Sequence, residues 1–191
     1  KTVDFIQHRT LGNGIIKTVT VSKTSTDKYF VNILIDNQKE LPNKRAITEK
    51  STIGIDVGLK TFAVLSDGSQ LHAPKFLREQ LRRLRIEQRK LSRQFKKGIK
   101  AKDQSKNYQK QKLVIALLYE RISNQRKDYL HKVSASIIKR YDTLCLEDLN
   151  VKGMQQNRNL SLSISDVSWS AFANMLEYKA GLYGKNIIYI G

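Results

Sequence analysis

Asp56 sits in the run Ile53-Gly54-Ile55-Asp56-Val57-Gly58, where its type and spacing could do chemistry. If the run is a strand, Ile53, Ile55 and Val57 share one face, and Gly54, Asp56 and Gly58 share the other. The first set suits a core. The second offers one carboxylate between two glycines, with room for a metal ion and a phosphate backbone to approach. Asp is depleted in strands and an unpaired buried charge is costly, so such a carboxylate needs a partner, and a hard cation is the natural one. This stretch alone is equally compatible with an ordinary hairpin in which Asp56 caps a turn.

A second acidic signal closes a short, mostly apolar run. Thr143-Leu144-Cys145-Leu146 suits a buried parallel strand, and it ends in Glu147-Asp148. Ligands of open α/β sheets gather at the carboxyl ends of strands. Glu147 is the candidate metal ligand, and Asp148 reads as a loop or cap residue. Asp56 and Glu147 lie 91 positions apart and meet only if their strands are neighbours in one sheet. Carboxylates so placed fit two-metal phosphodiester cleavage, with two Mg²⁺ ions roughly 3.5–4 Å apart.

The elements that must position them are legible in outline. Ile15 to Ser22 and Tyr29 to Ile35 alternate as an antiparallel pair, and the polar segment from Asn37 to Ser51, with Pro42, reads as a linker or domain boundary. After Asp56, Thr61 to Leu65 reads as a strand. Asp67-Gly68 is expected to form a two-residue turn, and Gln70 to Ala73 returns. Beyond Pro74, the seam Leu77, Leu81, Leu84, Gln88, Leu91 and Phe95 predicts a long helix. A basic loop over 96–106 leads to a second helix from about Tyr108 to Lys139, so the two form an antiparallel helical hairpin. Residues 153–164 read as a polar loop. Ser165-Asp166 offers an N-cap, Trp169 to Tyr183 a helix that Gly184 stops, and Ile187 to Ile190 a buried strand. Trp169 reads as a core anchor, and His8, His72 and His131 as surface or packing residues.

Charge narrows the class of partner. The 191 residues carry 35 Lys/Arg against 17 Asp/Glu, a net of +18. Residues 75–112 hold 15 Lys/Arg and 3 Asp/Glu, whereas residues 141–191 are slightly acidic. Lys75, Arg78, Arg82, Arg83, Arg85, Arg89, Lys90, Arg93, Lys96 and Lys97 are therefore candidate nucleic-acid contacts, since same-sign charge on most exposed positions repels itself until a polyanion neutralises it. The longest apolar run, Leu113 to Tyr119, is too short to span a bilayer, and no signal-peptide pattern opens the chain. With one cysteine, Cys145, there is no disulfide and no zinc ribbon in these residues, which fits a reducing, intracellular setting. The chain starts without methionine and stops just after a strand-like run, which reads as a piece of a longer protein.

Four separated segments then agree in order and spacing: Gly54 to Ala63 (GIDVGLKTFA), Asn124-Gln125-Arg126-Lys127-Asp128, Leu146 to Met154 (LEDLNVKGM), and Ser163-Ile164-Ser165-Asp166. Together they closely resemble TnpB, the OrfB-type proteins of bacterial insertion sequences and relatives of the type V CRISPR effector nucleases, over about Ile15 to Gly191. The resemblance implies an α/β fold: an RNase H-like (RuvC) mixed sheet with an inserted long basic helical hairpin. A small antiparallel β segment of wedge or OB-like type, residues 1–50, would precede the nuclease domain of residues 51–191. It implies Asp56 and Glu147 as catalytic and metal-binding carboxylates, Mg²⁺ or Mn²⁺ as cofactor, and guide RNA and target DNA as partners, in a bacterial cytoplasm. Arg126 and Lys127 join the nucleic-acid-binding set. No membrane and no small-molecule substrate is expected. Family members continue with a four-cysteine zinc ribbon and a third catalytic aspartate, and this sequence has neither. The alternative is a catalytically inactive nucleic-acid-binding remnant or a guide-directed DNA-binding repressor. A strand-transferring transposase is a weaker third reading.

Overall fold

The computed structural model describes residues 5–8, 10–58, 61–72, 75–149 and 169–191, for 75–79 the backbone alone. The expected loop at 153–164, the N-cap at Ser165-Asp166 and the family segments over 150–154 and 163–166 lie outside them. The described residues form a mixed α/β chain with two sheets and three α-helices. The chain divides into two compact units, residues 1–40 with 84–120, and residues 41–83 with 121–191.

In the first unit, strands β1 (Ile15–Lys23) and β2 (Tyr29–Asp36) pair antiparallel, with a register irregularity between Ile16 and Thr18. The turn at Thr24 to Lys28 closes on itself, Thr24 N–H donating to the Lys28 carbonyl at 2.9 Å. Helix α1 (Lys75–Gln94) is the element that the leucine spacing predicts, and α2 (Lys106–Arg140) is the second helix expected from about Tyr108 to Lys139. Within this unit Leu84, Tyr108, Ile115 and Leu118 are buried. Antiparallel pairing shows in its polar ties: the Gln88 amide donates to the Tyr119 hydroxyl at 2.7 Å, and the Gln111 amide to the Glu87 carboxylate at 2.7 Å. Gln88, the polar break in the seam, is thus used for a cross-helix hydrogen bond. Lys28 in the β-turn reaches Glu120 on α2 at 3.0 Å.

The second unit is built on a five-stranded sheet ordered β5 (Gln70–Leu71), β4 (Ala63–Leu65), β3 (Thr52–Val57), β6 (Thr143–Glu147), β7 (Asn186–Ile190). The β3, β6 and β7 strands run parallel, while β4 and β5 return antiparallel. Ile53, Ile55, Ala63, Leu65, Leu144 and Leu146 bury one face against Leu130, Ile137 and Ile138 of α2 and against Trp169, Phe172 and Leu176 of helix α3 (Trp169–Tyr183). Phe62 stacks edge-on against both Tyr129 and Phe172, with ring centroids 5.4 and 5.0 Å apart. Trp169 is the core anchor that its position suggests, 5 % exposed.

Gly184 ends α3 with φ +63, and Lys185 N–H donates back to the Ala180 carbonyl at 2.8 Å. A Cβ at Gly184 would lie 2.5 Å from the Asn43 carbonyl oxygen, so the segment ahead of the sheet demands glycine a second time. That segment is more than a polar linker. Arg45 N–H donates to the Gly184 carbonyl at 2.9 Å, its guanidinium meets Asp142 at 3.2 Å, and Lys185 binds the same carboxylate.

One expectation is corrected. Asp67-Gly68 does not form a two-residue turn: Gly68 N–H donates to the Leu65 carbonyl and Leu65 N–H to the Ser69 carbonyl, both at 2.9 Å, so Ser66-Asp67-Gly68 make a three-residue loop. Gly68, at φ +84, takes the left-handed position of that loop. Asp67 also has a role that its turn position conceals. Its carboxylate accepts from Ser69 Oγ at 2.5 Å, Ser69 N–H at 2.9 Å and the Tyr141 hydroxyl at 2.6 Å. These bonds, that from the Ser69 hydroxyl foremost, hold its carboxyl at about 2, below the usual 3.8. The folded value lies below the unfolded one, so this contribution is complete above pH of about 4 and is lost as pH falls toward 2. Urea melts of Asp67→Asn against the parent chain should show a smaller loss of stability across that window. Parallel loss in both chains would contradict the assignment.

Candidate catalytic carboxylate pair

Strand β3 forms because β-branched Ile53, Ile55 and Val57 recur at every second position and bury, Ile53 to 2 % and Ile55 to 4 % exposure. The opposite parity leaves Asp56 exposed. In β6, Leu144 and Leu146 bury while Glu147 is exposed. The parallel register pairs Ile53 with Leu144, Gly54 with Cys145 and Ile55 with Leu146. Asp56 and Glu147 are the next residue on each strand. They therefore occupy the same face at the carboxyl ends of adjacent strands, whose separation is about 4.8 Å. On its other side Asp56 faces Val64 of β4, and Glu147 pairs with Ile190 of β7, both exposed.

The glycines act differently from one another. A Cβ on Gly54 would rest 3.5 Å from Ser66 Cβ, ordinary contact, so the gap beside Asp56 is not imposed by packing. A Cβ on Gly58 would come within 3.0 Å of the Thr61 carbonyl, in the tight reversal where Gly58 N–H donates to the Phe62 carbonyl at 3.2 Å.

A cavity of about 230 Å³ opens at the same end of the sheet, lined by Glu147, Asp148, Leu149, Trp169, Asn174 and Tyr189 among others. Asp148 is exposed just beyond β6, its N–H donating to the Ile190 carbonyl at 2.9 Å. Burial, then the Glu177 carboxylate that accepts its hydroxyl at 2.5 Å, pushes Tyr189 up to about 12, so this hydroxyl stays protonated at neutral pH. Nothing in the sequence ties Tyr189 to Glu177, because the pairing depends on β7 lying beside α3.

Two exposed oxygen-donor side chains side by side suit a hard divalent cation such as Mg²⁺ or Mn²⁺. Among the described residues no group of three His, Cys, Asp or Glu is arranged to hold an ion. Of the basic candidates, Arg82, Arg83, Arg85, Arg89, Lys90, Arg93, Lys96, Lys97 and Lys127 are exposed, and Arg126 is half-buried. Lys75 and Arg78 lie on α1 in the stretch described by its backbone alone. Lys90 is paired with Glu87 at 2.9 Å, which lowers its availability to a polyanion. His131 is exposed, its Nδ1 3.3 Å from the Tyr178 hydroxyl. Lys179 has a role that its place in the sequence does not announce. It is 8 % exposed and donates to the His131 carbonyl at 2.8 Å and Ser134 Oγ at 2.6 Å, pinning α3 to α2, and burial lowers its pKa. No helix among the described residues is long and apolar enough to cross a membrane.

Residues 32–158 match the OrfB_IS605 family, described as "Probable transposase". A "Putative RNA-guided DNA endonuclease" of Streptomyces pristinaespiralis is 35% identical over 173 residues, which cover 91% of this chain and 40% of the relative. InsQ of Escherichia coli K12, which bears the same description, is 33% identical over 181 residues, covering 87% of this chain and 42% of the relative. The chain thus spans about two fifths of the length of these curated relatives. A chain from the cryo-EM structure of a CRISPR-Cas12f ternary complex aligns with a TM-score of 0.46 and 23% identity, over 88% of this chain and 34% of its own.

Proposed function

Because the chain belongs to the OrfB_IS605 family, we propose that it is the partial nuclease core of a TnpB-type, RNA-guided, metal-dependent DNA endonuclease. The observation that carries the reading is the parallel register of β3 and β6, which sets Asp56 beside Glu147 at the open end of the sheet. On this reading the five-stranded sheet is an RNase H-like (RuvC) core, the α1–α2 pair its inserted hairpin, and β1–β2 the end of a wedge-type β domain. The partners are a guide RNA and its DNA target.

Asp56 and Glu147 would hold Mg²⁺ or Mn²⁺, which when bound supplies Lewis acidity toward a phosphodiester. The chain's own residues account for the rest. Both carboxylates are exposed, so a phosphate backbone can come up to them without disturbing the core beneath. The buried Ile55 and Leu146 behind them hold the two strand ends in register. The exposed arginines of α1 supply sequence-independent attachment, since contacts to phosphates position a nucleic acid without reading its bases.

Binding of duplex DNA and of RNA, followed by fluorescence anisotropy across a salt series, tests the reading. Affinity should fall steeply with salt. Combined Arg85→Gln, Arg89→Gln and Arg93→Gln should flatten the plot of log K against log salt by about 2 to 3, because each lost phosphate contact removes roughly 0.9 from the slope. A flat response in the parent chain would refute nucleic acid as the partner. A steep response combined with no divalent binding at Asp56 and Glu147 would instead select a binding-only protein.

A further inference from the structure

The loop joining α1 to α2 carries no residue assigned to cleavage, yet it is among the most deliberately built parts of the chain. Gln104, only 6 % exposed, uses its whole side-chain amide on the loop backbone. Its Oε1 accepts from Lys96 N–H at 3.0 Å, and its Nε2 donates to the Lys96 carbonyl at 2.7 Å and the Ile99 carbonyl at 3.0 Å. A second glutamine repeats the device, with Gln109 Nε2 donating to the Ala101 carbonyl at 2.6 Å. Ser105 starts α2, its carbonyl accepting from Gln109 N–H at 3.1 Å, and Phe95 lies against Tyr108 with ring centroids 6.1 Å apart.

What this framework displays is charge. Lys96, Lys97, Lys100, Lys102 and Lys106 are all exposed, and among the described residues none is ion-paired, in contrast with Lys23, Lys28, Lys90 and Lys132, which are. Asp103 is the single acidic residue from Phe95 to Lys112. Four of these like charges lie on one short loop and the fifth, Lys106, is the first residue of α2; they repel one another, and an unsupported loop of this composition would spread apart. Burying a neutral amide with each polar atom satisfied resists that spreading without adding a counter-charge.

We infer that this loop is a preformed phosphodiester-backbone contact surface in which Gln104 is the positioning residue. The inference rests on the nucleic-acid reading above, which already includes Lys96 and Lys97, and extends it to Lys100, Lys102, Lys106 and the buried Gln104. The cations are lysines, compact point charges rather than planar forks, so the surface binds backbone phosphates and carries no base preference. Holding the loop backbone in one conformation in advance reduces the ordering cost that a flexible lysine loop would incur on binding.

The test uses the whole chain with two probes, a 20-base-pair random-sequence DNA duplex and a 20-nucleotide RNA, across a salt series. Converting Lys96, Lys97, Lys100 and Lys102 together to Gln should lower the salt slope by about 3 to 4, equally for unrelated sequences of a given probe. Gln104→Leu keeps every cation and should still weaken binding several-fold with a slope lower by about 1 to 2. A purely structural glutamine would shift the melting temperature and leave the slope alone. Loss on both probes assigns the loop to either backbone, and loss on one assigns it to that strand type. An unchanged slope in the four-lysine variant overturns the proposal whether or not Gln104→Leu folds. If the α1 arginine variant still loses slope in that event, the tip assignment alone falls. If it does not, the nucleic-acid reading falls with it.

Discussion

Asp56→Asn is expected, on the proposed nuclease reading, to weaken Mn²⁺ affinity by more than about 100-fold and to abolish any divalent-dependent DNA cleavage, because replacing even the outer partners of metal ligands costs roughly 10–100-fold. Glu147→Gln should match it. Both substitutions preserve side-chain size and remove a charge from an exposed position, so neither should disturb the core beneath. In the metal-free protein they should raise the melting temperature slightly, since two carboxylates abreast on neighbouring strands repel each other. Gain of stability with loss of metal binding is the signature of charges kept for function. Loss of stability in either variant would show a structural role for the pair, and cleavage retained within a few-fold would remove it from the catalytic site.

The second large effect lies in the core that holds those strand ends together. Phe172 is 1 % exposed and packs edge-on to Phe62, which lies in the connection between β3 and β4. Phe172→Ala leaves a cavity at the junction of α3 with the sheet and should cost about 3–5 kcal/mol, read as a lower urea midpoint with an unchanged slope. Fluorescence of Trp169, a buried neighbour in the same cluster, reports the transition. A cost below about 1 kcal/mol would mean that α3 is not docked as described.

The pattern of strands and helices is legible in the sequence because it rests on local periodicity. Alternation of Ile53, Ile55 and Val57 against Asp56 foretells which side chains bury, and the observed exposures follow that parity. Leucine spacing gives α1, and apolar helical periodicity α2, to within a few residues, and Gly184 marks the end of α3. The neighbouring of β3 and β6 is an inference of another kind. It comes from asking what two isolated carboxylates would need, because nothing local in either strand specifies the other as its partner.

What stays hidden depends on contacts remote in sequence. Asp67 reads as a turn residue, but Tyr141, which bonds it, lies 74 positions away. The turn itself differs from expectation by one residue because Asp-Gly serves both two- and three-residue loops, and the register of β4 on β5 decides between them. Gln104 looks like an ordinary polar residue in a basic loop, and its burial follows from how the helix ends approach. Lys179 falls at the helical spacing of Phe172 and Leu176, yet spacing cannot tell that its amine finds a carbonyl and a hydroxyl to satisfy it.

Paramagnetic broadening by Mn²⁺ is the most direct test of the central claim. Added at substoichiometric levels to isotopically labelled chain, Mn²⁺ should broaden the amide signals of residues 55–57 and 146–148 first and together, and Mg²⁺ should restore them by competition. Broadening centred on other acidic residues, or on only one of these two strand ends, would contradict a shared site built from Asp56 and Glu147.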